Sequence, residues 1–209
     1  DLNELKKLEN LLIDEDHTWL SIEPGAITDM NNQNVVEIEA TGAQKGAFNG
    51  FVDDDTRPNV LQFDLDMTAE TLTLHFKEPV DVASFQPTAI TLQASSDATP
   101  GRQHTLVDGD VIPGSLDDTT VVIKLELDDL NEMKRKVIGF NRGTSWMTFT
   151  EDAIMDQNKK EVVARSIGST GATGPLQCSA DTYYTDTIDP VLQSFDLDLT
   201  TELLTLSFS

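Results

Sequence analysis

One phrase of this chain is written twice. The stretch from Gln62 to Phe76, QFDLDMTAETLTLHF, returns 132 residues later between Ser194 and Phe208 as SFDLDLTTELLTLSF, and Pro58 and Pro190 keep the same spacing. A second match runs from the other end. Asp1-Leu2-Asn3-Glu4-Leu5-Lys6-Lys7 aligns with Asp129-Leu130-Asn131-Glu132-Met133-Lys134-Arg135. Trp19-Leu20-Ser21-Ile22, Ala26-Ile27 and Asp29 recur 127 residues on, as Trp146-Met147-Thr148-Phe149, Ala153-Ile154 and Asp156. Self-similarity at a fixed period is the mark of a repeat architecture. The step in period from 127 to 132 implies five extra residues, placed in the glycine-rich Ser166–Gly174 loop.

The period divides the chain. Residues 1–56 read as the C-terminal half of one unit, 57–188 as a complete unit, and 189–209 as the first two strands of the next. The two partial units do not add up to a whole, because the equivalents of residues 78–128 are missing from both. The expectation is that neighbouring copies complete them, either along a longer chain or by strand exchange. The chain opens on Asp1 with no visible signal peptide, so any targeting sequence is expected elsewhere.

Periodicity within one unit predicts strands. Phe63, Leu65 and Met67 alternate with Asp64 and Asp66, and Leu72, Leu74 and Phe76 resume the pattern after a polar turn. Alternation of this kind belongs to a strand with one buried face. Val121, Ile123, Leu125 and Leu127 predict a third strand; Phe85, Ile90 and Leu92 mark another, and Trp146–Phe149 and Val162–Ile167 two more. Asp108-Gly109 predicts a tight hairpin turn. Asp129–Val137 reads as a short helix with acidic residues first and Lys134, Arg135 and Lys136 last, which suits the helix dipole. Seven or eight short strands in roughly 130 residues, with one helical crossover, point to an all-β sandwich.

Composition narrows the partners. Asp and Glu outnumber Lys and Arg 37 to 14, a formal charge of −23. Such a surface repels phosphate backbones and anionic headgroups, so neither nucleic-acid binding nor membrane insertion is expected. No apolar run reaches the roughly 18 residues that span a bilayer. With Cys178 the single cysteine, no intrachain disulfide can form.

These residues resemble a known family. Asp55-Thr56-Arg57-Pro58-Asn59-Val60, then Phe63-Asp64-Leu65-Asp66, then Leu72 to Asp81, LTLHFKEPVD, are similar to the opening of immunoglobulin-like repeats in large surface proteins. Ala26 to Val35, AITDMNNQNV, is similar to the hairpin near the end of each such unit, with Asn32, and Lys159 in the second copy, where the family carries Gly. The resemblance implies an immunoglobulin-like sandwich, an extracellular or cell-surface setting, and a string of units used as stalk, adhesin or filament shaft. It carries no catalytic residue.

Asp53, Asp54 and Asp55 precede Pro58, while Asp186 and Asp189 precede Pro190; hard oxygen ligands at such a junction can hold Ca²⁺. The plainer reading is a polar, solvated linker. Trp19 and Trp146 occupy equivalent positions, as do Phe63 and Phe195, and all four are expected to pack in cores. His17, His75 and His104 share no metal-like spacing. The Gly168–Gly174 loop lacks the Lys-Ser/Thr ending of a phosphate-binding loop. The expectation is therefore a non-enzymatic structural segment whose partners are copies of itself. One rival is a calcium-dependent adhesin that grips a surface or glycan through loops such as Ser95–Thr105 or Ser166–Cys178. Another is a β-sandwich hydrolase accessory or catalytic domain, which predicts an aromatic-lined groove on one repeat only, whereas the aromatics recur.

Overall fold

The computed structural model describes residues 2–8, 10–46, 50–97, 99–112 and 118–208. In chain order its elements are helix α1 (Leu2–Lys6), strands β1 (Trp19–Leu20), β2 (Gln44–Lys45), β3 (Val60–Asp66), β4 (Thr71–Val80), β5 (Ile90–Gln93), β6 (Gln103–Thr105), β7 (Asp110–Val111) and β8 (Asp118–Lys124), helix α2 (Leu127–Arg135), and strands β9 (Trp146–Phe149), β10 (Leu176–Gln177), β11 (Tyr183–Tyr184), β12 (Leu192–Asp198) and β13 (Leu203–Phe208). The fold is all-β.

Alternation builds the larger sheet, ordered β11-β3-β4-β8-β7. In the β3–β4 hairpin Phe63 stands opposite Leu74 and Leu65 opposite Leu72. Because successive side chains point to opposite faces, this set is buried while Asp64, Asp66 and Thr73 stay partly exposed. A second sheet, β10-β9-β5-β6, contributes Ile90, Leu92 and Met147 to the same apolar core. Leu130 and Met133, three apart on one face of α2, close it. Among the described residues, every buried apolar side chain lies between Pro58 and Cys178.

Several local expectations are corrected. The helix begins at Leu127, not Asp129, so Leu127 ends no strand and is exposed. Val162–Ile167 forms no strand, because its backbone divides between neighbours: Val162 N–H donates to Ile154 and Val163 N–H to Pro58. Asp108-Gly109 closes no hairpin, since β6 pairs with β5 and β7 with β8 in the other sheet. Gly109 has φ +151°, and a side chain there would meet the Lys124 carbonyl at 3.3 Å, so the crossing between sheets needs glycine. Phe85 lies ahead of β5 rather than in it.

The β12–β13 hairpin pairs with no third strand among the described residues. Its geometry nevertheless matches β3–β4 residue for residue. All six register pairs fall 132 positions after those of β3–β4, and the irregularity after the first pair falls in the same place. Glu70 and Glu202 take left-handed φ of 59° and 57°. Asp66 accepts from the N–H groups of Thr68 and Ala69, as Asp198 does from those of Thr200 and Thr201. The difference is cover: Phe63 is 0% exposed and Phe195 is 64% exposed.

The N-terminal segment matches the region after α2 in the same way. Trp19 pairs with Lys45 and Leu20 with Gln44, as Trp146 pairs with Gln177 and Met147 with Leu176. Ile22 and Ile38 exchange backbone hydrogen bonds, as Phe149 and Arg165 do. Asn32 and Lys159 both adopt left-handed φ, 62° and 61°, so the turn keeps glycine geometry without glycine. A left-handed residue with a Cβ costs roughly 1–2 kcal/mol, which the two backbone bonds flanking Asp29 and Asp156 help offset.

Core placement predicts unequal losses at matched positions. Phe63→Ala is expected to cost about 3–5 kcal/mol, and Phe195→Ala less than about 0.5 kcal/mol, in urea unfolding of dilute protein. Equal losses would mean that the second hairpin has found cover.

Candidate functional site

Among the described residues, a cluster of three carboxylates lies where the N-terminal segment meets the body built on β3–β4. Three elements converge there. The linker before Pro58 supplies Asp54, the end of β4 supplies Glu78, and the turn after Ile154 supplies Asp156. One oxygen from each carboxylate lies within 4.8 Å of the others. Into this cluster α1 extends Lys6, whose ammonium bonds Glu78 Oε2 at 2.5 Å and also contacts Asp54. Lys7 reaches Asp118 at 3.1 Å on the same side. An apolar cleft of about 380 Å³ adjoins the cluster, walled by Leu2, Leu8, Leu11, Phe51 and Pro79.

The charges do not balance. Three carboxylates face one ammonium, and Glu78 is almost fully buried with no hydrogen-bond partner for Oε1. Leaving a buried acceptor unpaired costs about 1–3 kcal/mol. Burial works against the Lys6 ammonium, but hydrogen bonds to Asp54 and Glu78 outweigh it and hold the lysine pKa above its ordinary value. Burial likewise opposes ionisation of Asp54, yet bonds from Lys6 and the Thr56 backbone hold its carboxyl below the usual range. Asp156 goes the other way: burial first, then the charges of Glu78 and Asp54, push its carboxyl up despite N–H bonds from Lys160 and Asn158.

Of the linker carboxylates singled out from sequence, Asp54 alone belongs to the cluster. Asp53 lines the neighbouring cleft. Asp55 is exposed and pairs with Lys160 at 3.0 Å. Asp186 pairs instead with Lys134 at 2.7 Å, and Asp189 is exposed. Lys134–Asp186 is nonetheless the positional counterpart of Lys6–Asp54, so the same helix lysine meets the same linker aspartate twice. Trp19 and Trp146 are not core residues: Trp19 is exposed and Trp146 half-buried, each donating its indole N–H to a backbone carbonyl three residues earlier. Phe63 packs in the core, and Phe195 does not.

Sequence reasoning missed Lys6, Glu78 and Asp156. The signal was present: Lys6 and Lys134 are aligned, as are Asp29 and Asp156, and Glu78 sits in the Glu-Pro-Val-Asp phrase after the first hairpin. Elsewhere, each histidine contacts one aspartate: His17 with Asp14, His75 with Asp64, and buried His104 with Asp129. Asp129 also accepts from the backbone of Val107 and Asp108, tying the loop after β6 to α2. The buried Cys178 thiol has its pKa pushed up to about 11, which keeps it protonated and unreactive at neutral pH. No described helix is long and apolar enough to cross a membrane.

Comparison with family models, curated proteins and solved structures returned no match.

The pKa directions predict a pH signature. A carboxyl raised on folding stabilises the folded state when protonated and loses that contribution as pH rises through its folded pKa. Ionised Asp156 therefore weakens the junction at neutral pH. In chelator-containing buffer, Asp156→Asn is expected to melt higher than the parent at pH 7, with the gain shrinking toward pH 3.5. A lower melting temperature at pH 7 would show that its charge is compensated in solution.

Proposed function

We propose that this chain is a structural segment of an extracellular filament or cell-surface stalk, built from immunoglobulin-like sandwich repeats joined end to end. The observation that carries the reading is the pair of hairpins with identical register, one covered and one bare. A sheet face carrying Phe195, Leu197, Leu204 and Leu206 is stable only when something apolar lies over it. A neighbouring unit of the same kind supplies such cover. The recurring Lys6–Asp54 and Lys134–Asp186 pairs support the same reading, because each ties the helix of one unit to the linker that leads into the next. A joint held this way resists bending, as a shaft requires. High negative charge keeps neighbouring shafts apart.

Purified assemblies seen by electron microscopy are expected to be rods with an axial repeat on the order of 40 Å, set by strands of about ten residues plus a linker. Compact particles without axial periodicity would end the filament reading.

A second reading, a joint stiffened by calcium, is favoured by one observation: the unpaired, buried Oε1 of Glu78 beside two further carboxylates. Asp54, Glu78 and Asp156 would hold the ion, which would supply the positive charge that Lys6 alone does not. Extracellular calcium modules bind with Kd of about 10⁻⁴–10⁻³ M. Millimolar Ca²⁺ is then expected to raise the melting temperature of the parent and not of Glu78→Gln. Identical melting with calcium and with chelator would remove calcium from the joint.

A further inference from the structure

The bare hairpin and the N-terminal segment each have a counterpart in the central body, where the two counterparts pack together. In the central body β11 lies parallel to β3, with Tyr183 level with Leu65 and Tyr184 level with Asp66, and Met67 N–H donates to the Tyr184 carbonyl at 2.9 Å. The positional equivalents are Phe51, Val52, Leu197, Asp198 and Leu199. Met147 and Ile154 are fully buried in the same core as the β3–β4 hairpin; their equivalents Leu20 and Ile27 are 58% and 61% exposed. The same chain therefore presents two apolar surfaces, largely exposed except at half-buried Phe51, which walls the cleft beside Leu2 and Pro79.

We propose that a second copy of this chain docks its N-terminal segment on the β12–β13 hairpin of the first. Residues 51–52 of the second copy add as a parallel strand along β12, with Phe51 level with Leu197, Val52 level with Asp198, and the Val52 carbonyl accepting from Leu199 N–H. Leu20 and Ile27 of that copy cover Phe195, Leu197, Leu204 and Leu206. The contact is heterologous: one copy offers its hairpin and the other its N-terminal segment, so each copy has one surface left over and association continues head to tail. Each copy carries a charge of −23, so the contact strengthens as salt screens the repulsion. This inference rests on the repeat reading above and adds to it a specific partner surface.

The test is sedimentation of the full chain from about 1 µM to about 1 mM, the range of weak to moderate self-association, at about 0.05 and 0.5 M NaCl. The parent is expected to at least double its average mass with concentration, more readily at high salt. Leu20→Asp and Leu197→Asp should each stay monomeric, while their thermal unfolding matches the parent because neither residue lies in the core. Mixed one to one, the two variants should form a heterodimer and nothing longer, since one intact hairpin meets one intact N-terminal segment. Leu20→Asp that still self-associates, or a mixture that stays monomeric, overturns the docking. So does a parent that is monomeric throughout, an outcome that leaves the tandem-array reading standing because covalent neighbours would cover the same faces.

Discussion

An antiparallel hairpin has two faces and no interior, so it cannot hide its own apolar side. The architecture of this chain follows from where that cover is found. For β3–β4 it comes from within the chain: the sheet carrying Ile90, Leu92 and Met147 lies over Phe63, Leu65 and Leu72, and water is excluded from the space between. Roughly 1.5–3 kcal/mol per fully buried large apolar side chain accrues there. β12–β13 has the same backbone hydrogen bonds, turn and bulge and gains none of this. Local sequence therefore suffices to write a hairpin, and a second layer is what makes it a body.

The junction is organised differently. Glu78 is buried but not apolar, and Lys6 reaches it from an α-helix only five residues long that buries none of its own side chains. A helix this short does not hold itself together in water. Its position is set by the ion pairs at its end and by the cleft against Leu2, Leu8 and Pro79. Charge thus shares here, with the apolar cleft, the role that packing alone plays in the core.

The period-two stretches were legible because each strand has one wet face: Asp64 and Asp66 announce where Phe63 and Leu65 point. Helix α2 was legible from its charge order, though Leu127 was given to the preceding strand because its spacing continued the alternation. Val162–Ile167 misled for a physical reason. Of its apolar residues Val162 alone is buried and Ile167 is exposed, while its backbone N–H groups go to four separate acceptors, Ile154, Pro58, Phe149 and Thr173, and side-chain periodicity does not report who accepts an N–H. The junction cluster was half legible. Linker carboxylates drew attention to Asp54, whereas Glu78 and Asp156 lie 24 and 102 positions away along the chain, and a lone carboxylate in a strand or turn carries no sign of its partners. For Trp19 and Trp146, equivalence between two positions shows that a role recurs, here an indole N–H bond to a carbonyl three residues back, not that the role is burial.

The loop between Ser166 and Gly174 holds the five additional residues of the second copy, and it falls between two matched contacts, the Phe149–Arg165 exchange and the pairing of β9 with β10. Both contacts survive the length change untouched. This bend is therefore a place where the repeated pattern absorbs a change of length without altering the contacts on either side of it.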